Sequence, residues 1–270
     1  MLARKEFLGS YQDWNRVHGA PRGRTIRGAR FARRLMPDAW YLRLGGAFSV
    51  QPNNTTRAVE YPWAFHAAGG PPWHENRRGR RRVERLPVRV DQAGCTVVNV
   101  DPGMEAIGWP CDQASMRRLN RAFGTTVELR NSTVARAALE PESYDRAFSI
   151  SVLEHLPEDE VDEVMRTVFQ CLKPGGLFVL TVDLFLNIAP FSSRPENEFG
   201  RNVDLRALCS KAASEIAVGQ PAELCGFAEF DPGRIQSRLE EYVVGQYPVL
   251  VQCLVLKKPD RPRVGAPIER

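Results

Sequence analysis

The spacing of apolar positions changes along the chain, and each change predicts an element. Ala147 to Leu153 is a short, mostly apolar run, the pattern of a strand buried on both faces in a parallel sheet. Pro157 follows, suited to a helix start because its missing N–H would have no partner there. Glu158, Asp159 and Glu160 fill the first turn, where the helix dipole favours negative charge. Val161, Val164, Met165, Val168, Phe169 and Leu172 then recur at helical spacing, so one face of the helix is apolar. Lys173 stands at its end, and Pro174, Gly175 and Gly176 predict a tight turn. Leu177 to Val182 is apolar again, closed by Asp183. Strand, helix and strand make a βαβ unit, right-handed by strong preference.

The same reading extends outward. Thr96 to Val100 predicts a buried strand ended by Asp101. Asp112 to Phe123 predicts a helix with Met116, Leu119 and Phe123 inward, and Thr125 to Leu129 another strand. Downstream, the polar loop after Asp183 carries Phe185, Phe191 and Phe199 with Pro190 and Pro195. It reads as a lid facing a substrate or as a surface crossover. A helix over Val203 to Val218 and two late strands, Glu223 to Phe230 and Tyr242 to Leu256, complete the pattern. Residues 1–60 show no strand pattern and read as a basic N-terminal extension, with a short basic helix over Thr25 to Met36. Tyr61 to Phe65 reads as aromatic core. Residues 61–258 form the main domain, and the Pro-rich tail 259–270 reads as disordered.

The stretch YDRAFSISVLEHL, followed by LKPGGLFVLTVD, resembles the second half of a class I S-adenosylmethionine-dependent methyltransferase. In that family an aromatic–Asp pair opens strand four, a Leu-Glu-His turn follows, and Lys-Pro-Gly-Gly precedes strand five. The resemblance implies an α/β fold: a Rossmann-like, doubly wound, mostly parallel sheet with a C-terminal antiparallel hairpin. It implies S-adenosylmethionine as cofactor and a methyl acceptor, by default a small molecule. Asp101, with Pro102 behind it, takes the place of the acid that accepts hydrogen bonds from the cofactor ribose. Thr133 lies where a polar side chain meets the adenine amino group; an Asx or Ser/Thr turn is the plainer reading. Ser151 and Val152 stand at the end of strand four, where open α/β sheets bind ligands. His155 beside Glu154 is the acid–base candidate of that turn, although a structural role is commoner for such a histidine. The family needs no fixed catalytic residue, because the cofactor arrives activated.

Residues 66–95 depart from the family. A strand ending in an acid and a glycine-rich loop belong here; instead the chain reads PPWHENRRGRRRVERLPVRVDQAGC. Unpaired arginines do not enter a central strand, so the fold is expected to be irregular over 73–90. Back-translated and shifted by one base, Trp73 to Val90 permits GMKTVEVGGGLSGFQFVL, a strand, an acid, a triple-glycine loop and a helix start. A sequencing error or paired indels in the gene would produce this; a basic loop that replaced the motif is the rival.

Charge changes the picture little. The net charge is +5, but Arg77 to Arg89 holds seven arginines and one glutamate, a local +6, leaving −1 for the rest. A second basic run, Arg16 to Arg34, has seven arginines and no acid. These runs support a rival reading as a nucleic-acid binder; a methyltransferase fold without activity is another. Six scattered cysteines without metal-ligand spacing read as reduced thiols. No apolar run is long enough for a membrane span, and MLARKEFLGSYQDW has no signal-peptide core. The expected location is cytoplasmic, with no metal and no membrane partner.

Overall fold

The computed structural model describes residue 1 and residues 7–24, 36–46, 48, 55–68, 86–102, 112–212, 214–245 and 247–260. Three helices come first: α1 (Gln12–His18), α2 (Asp38–Gly45) and α3 (Arg57–Ala67). Then follow α4 (Leu86–Gln92), β1 (Val98–Val100), α5 (Gln113–Phe123) and β2 (Glu128–Arg130). The second half runs β3 (Tyr144–Ile150), α6 (Glu158–Cys171), β4 (Leu172–Phe185), α7 (Leu205–Lys211), β5 (Glu215–Val218), α8 (Pro232–Gln236) and β6 (Val249–Lys257).

The strands form two sheets among the described residues. In one, β1 and β2 pair in parallel; in the other the order is β3-β4-β6-β5, with β3 and β4 parallel and β6 antiparallel to both neighbours. This is the expected α/β fold with its C-terminal antiparallel hairpin. A doubly wound sheet would place one more strand between β1 and β3. Among the described residues no strand joins them, and the segment that precedes α4 in sequence lies outside those residues.

The βαβ unit forms as its pattern dictates. Helix α6 places Val161, Met165, Val168 and Phe169 against Phe178, Leu180 and Val182 of β4, joined by Leu205 and Leu208 of α7 and by Leu254 and Leu256 of β6. The opposite face of β4 and β6, with Val179, Val251, Cys253 and Val255, is covered by Trp14 of α1 and by Val59, Trp63 and Phe65 of α3. Alternate residues of one strand thus serve two cores. Helix α4 joins the halves: Leu86 packs with the second core, and Val88 with Met116, Leu119, Val127 and Leu129 around the small sheet. The boundary expected at residue 60 falls inside α3, whose aromatic face is core as expected at Tyr61 to Phe65.

Several boundaries differ from the sequence reading. The Lys-Pro-Gly-Gly stretch is not a separate turn but the start of β4, with a register break against β3 between Tyr144 and Arg146. Gly175 has φ +74° there, a conformation that side chains resist. The helix expected over Val203 to Val218 stops at Lys211, and Glu215 to Val218 forms an edge strand against β6. Glu223 to Phe230 is therefore turns, not a strand, while β6 starts at Val249 after Pro248. The basic helix expected over Thr25 to Met36 lies almost wholly outside the described residues. So do residues 69–85, most of the 73–90 segment; its end, from Leu86, is α4.

Candidate active site

Two groups of residues gather at the carboxyl ends of the parallel strands. The first follows β1 and β2. Asp101 is half-buried; its N–H donates to the Arg130 carbonyl at 3.1 Å, and its carbonyl accepts from Asn131 Nδ2 at 3.2 Å. Pro102 follows it, also half-buried. Thr133 is exposed one turn further on, preceding a short 3-10 turn that its side chain does not cap. The turn after β2 thus holds the backbone at Asp101, at the carboxyl end of β1.

The second group follows β3 and β4. Ser151 has φ +45°, an unusual value for a residue with a side chain and a form of local strain found at functional sites. Its N–H donates to the Thr181 carbonyl at 2.9 Å and lies 3.1 Å from Thr181 Oγ1. Its hydroxyl lies 2.5 Å from Glu60 Oε1 and 3.0 Å from Asp183 Oδ1. Thr181 Oγ1 donates to the same Glu60 oxygen at 2.7 Å, and Arg57 pairs with Glu60 Oε2 at 2.5 Å. The Asp183 N–H donates to Glu154 Oε1 at 3.2 Å, and the Tyr247 hydroxyl lies 3.5 Å from Asp183 Oδ2. Glu60, Glu154 and Asp183 are 0%, 1% and 2% exposed.

Burial divides these acids. It would raise Glu60, but the Arg57 charge and the donors Ser151 and Thr181 outweigh it and hold Glu60 below the usual carboxylate range. Glu154, without such a partner, is pushed well above that range by burial and then by Asp183. Asp183 is pushed up to about 7, by burial first and the Glu60 charge second.

Val152 is exposed and adds no polar group. The Nδ1 atom of His155 contacts the Phe199 carbonyl, while Arg201 N–H donates to the Glu154 carbonyl at 3.1 Å. His155 therefore ties its turn to the following loop, as the plainer reading expected. Gly200 is required there: a Cβ on it would lie 2.1 Å from the Glu154 carbonyl oxygen. Phe199, Tyr247 and Phe185 stack beside Asp183, with Phe199 and Tyr247 4.6 Å apart.

The sequence reading placed Ser151 in the site and passed over Arg57, Glu60, Asp183 and Tyr247 as site residues. A charged pair at i, i+3 within an aromatic helix face was the signal available for Arg57 and Glu60. The chemistry assembled is a set of proton-sharing carboxyls facing a hydroxyl. No cluster of three metal-ligating side chains occurs among the described residues. Nor is any described helix long and apolar enough to cross a membrane.

Polar groups at the carboxyl ends of parallel strands stand where open α/β sheets bind ligands. A segment of the chain, residues 84–180, from just before α4 through most of β4, matches the family model described as a methyltransferase domain. It contains Asp101, Thr133, Ser151 and Glu154. A curated ubiquinone biosynthesis O-methyltransferase of Rhizobium etli is 31% identical over 101 residues, 37% of this chain. The match spans 38% of that relative's length. Among solved structures, a 1,6-didemethyltoxoflavin-N1-methyltransferase of Burkholderia thailandensis, bound to 1,6-didemethyltoxoflavin and S-adenosylhomocysteine, is similar at 16% identity. The likeness has a TM-score of 0.44 and covers 65% of this chain and 67% of that one. A methyltransferase of Methanosarcina mazei is similar at 16% identity and TM-score 0.42, over 64% of this chain and 87% of that one.

Proposed function

We propose that the chain is an S-adenosylmethionine-dependent methyltransferase acting on a small molecule that presents a hydroxyl or amino group. The observation that carries this reading is the methyltransferase-domain match over 84–180, which takes in the ends of β1, β2 and β3. Asp101 would accept the ribose hydroxyls, Pro102 would pack behind it, and Thr133 would lie by the adenine. The turn at Ser151 and Val152 would close the pocket. The sulfonium supplies an activated methyl group; the chain supplies alignment and exclusion of water. The relative's name points to an oxygen acceptor.

Calorimetric titration with S-adenosylhomocysteine tests the reading. Saturable binding is expected, weakened about tenfold in Asp101→Asn through loss of a charged acceptor. No binding at millimolar ligand overturns it. The rival, a methyltransferase fold without activity, rests on the departure at residues 66–95, and the same titration decides between them.

A further inference from the structure

Ser151 is held in a conformation that a side chain disfavours. Its φ of +45° lies in the left-handed region, where a Cβ crowds the following carbonyl. Such a residue stays there only when its surroundings hold it. Of the described non-glycine residues with positive φ, Ser151 alone is buried. The next residue, Val152, is 45% exposed at the carboxyl end of β3, where open α/β sheets bind ligands. The turn is thus both strained and open to solvent.

The turn is held from three places. Within the sheet, the Ser151 N–H donates to the Thr181 carbonyl at 2.9 Å. Downstream, Glu154 is fixed by the Asp183 N–H on its Oε1 and the Arg201 N–H on its carbonyl. The Ser151 side chain is held from α3. Its hydroxyl has one hydrogen to donate, and Glu60 Oε1 is the nearer acceptor, at 2.5 Å against 3.0 Å for Asp183 Oδ1. Thr181 Oγ1 donates to the same Glu60 oxygen at 2.7 Å, and Arg57 pairs with the other oxygen at 2.5 Å. One fully buried carboxylate thus joins α3, the end of β3 and β4.

Packing alone does not call for this arrangement. The neighbouring buried positions of α3, Val59, Trp63, Ala64 and Phe65, are apolar. A carboxylate among them is costly unless its oxygens are satisfied, and here Ser151, Thr181 and Arg57 satisfy them. Arg57 and Glu60 also lie outside the segment 84–180 that matches the methyltransferase-domain model. The grip on the Ser151 side chain therefore comes from a helix that the match does not include.

We propose that Glu60 is a positioning residue of the cofactor site: through the Ser151 hydroxyl it holds the turn at Ser151 and Val152 in the conformation that meets the cofactor. The inference rests on the methyltransferase reading and adds that α3 helps to build the site. Arg57 and Thr181 complete the bonds of the Glu60 carboxylate and so fix its direction. Glu60 itself is fully buried and touches no ligand. Without its grip, the strain at Ser151 is relieved by a return toward negative φ, and Val152 moves with it.

Two comparisons, read by calorimetric titration with S-adenosylhomocysteine, test this. Ser151→Ala and Ser151→Gly both lose the hydroxyl and leave Glu60 its bonds to Arg57 and Thr181, but only alanine resists a positive φ. Ser151→Ala is expected to bind about tenfold more weakly than wild type, and Ser151→Gly at least about threefold more tightly than Ser151→Ala. Glu60→Leu should weaken binding about tenfold when residue 151 is serine, and less than about twofold when it is already glycine. A role confined to stability lowers the unfolding midpoint without this dependence on residue 151. Equal affinities in Ser151→Ala and Ser151→Gly overturn the proposal, and so does a Glu60→Leu effect of the same size in both backgrounds. The first pair alone decides if Glu60→Leu does not fold. A wild-type chain that does not bind S-adenosylhomocysteine brings down the methyltransferase reading and this inference with it. A wild-type chain that binds, with alanine and glycine equivalent at 151, brings down this inference alone.

Discussion

The two sheets make the instructive contrast. Strands β1 and β2 pair over three residues each, whereas β4 and β6 pair over nine and β3 and β4 over six. The larger sheet has a core on each face and a closed polar network at its end. The smaller one has a single core beside it. The Ser151 side of the proposed site is therefore built on the part of the sheet held by long ladders. The ribose side would rest on the short pair, next to the stretch where the sequence departs from the family it resembles.

The largest test of that contrast is pH. Asp183 binds its proton more tightly folded than unfolded, so its contribution to stability is full below about pH 4 and is lost as pH rises through about 7. The shift corresponds to a loss on the order of 4 kcal/mol relative to Asp183→Asn, read from denaturant midpoints across that window. Next, Leu180→Ala in the larger core should cost about 3–4 kcal/mol, and Leu129→Ala beside the small sheet about 2 kcal/mol. Urea unfolding of both variants checks the order; equal costs would erase the difference between the halves. Third, replacing residues 73–90 by GMKTVEVGGGLSGFQFVL should tighten S-adenosylhomocysteine binding at least tenfold, about 1.4 kcal/mol, in the same calorimetric titration. Unchanged affinity would end the indel reading. The smallest effect belongs to the Asp112 cap, whose carboxylate accepts the Ser115 N–H at 2.6 Å. Asp112→Ala should lower stability by about 1 kcal/mol, read by thermal melting.

How far the sequence revealed this follows from the range of the forces involved. The βαβ unit was legible because its strands and helix each carry one period over many residues, from Ala147 to Val182. Asp112 to Phe123 was legible for the same reason, with Gly124 closing the helix at φ +66°. The stretch from Val203 to Val218 misled because helix-compatible residues continue past Lys211, and only pairing with β6 fixes Glu215 to Val218 as strand. Ser151 was singled out from its place at a strand end. Its partners were not, since Glu60 lies 91 residues away from it and 121 from Thr181 in sequence. No local pattern links a helix charge to a strand end at that separation; only the packing of α3 onto the sheet does.

The position of β6 has a consequence for how the molecule is made. It is the last strand in sequence, yet it lies between β4 and β5 and touches both. As the chain leaves the ribosome, β4 must wait with one edge bare for the 63 residues between Phe185 and Val249, and β5 with no neighbour at all for the 30 between Val218 and Val249. The interior of the larger sheet is therefore completed by insertion of β6 between β4 and β5, and any nascent-chain chaperone contact should fall on the bare edge of β4.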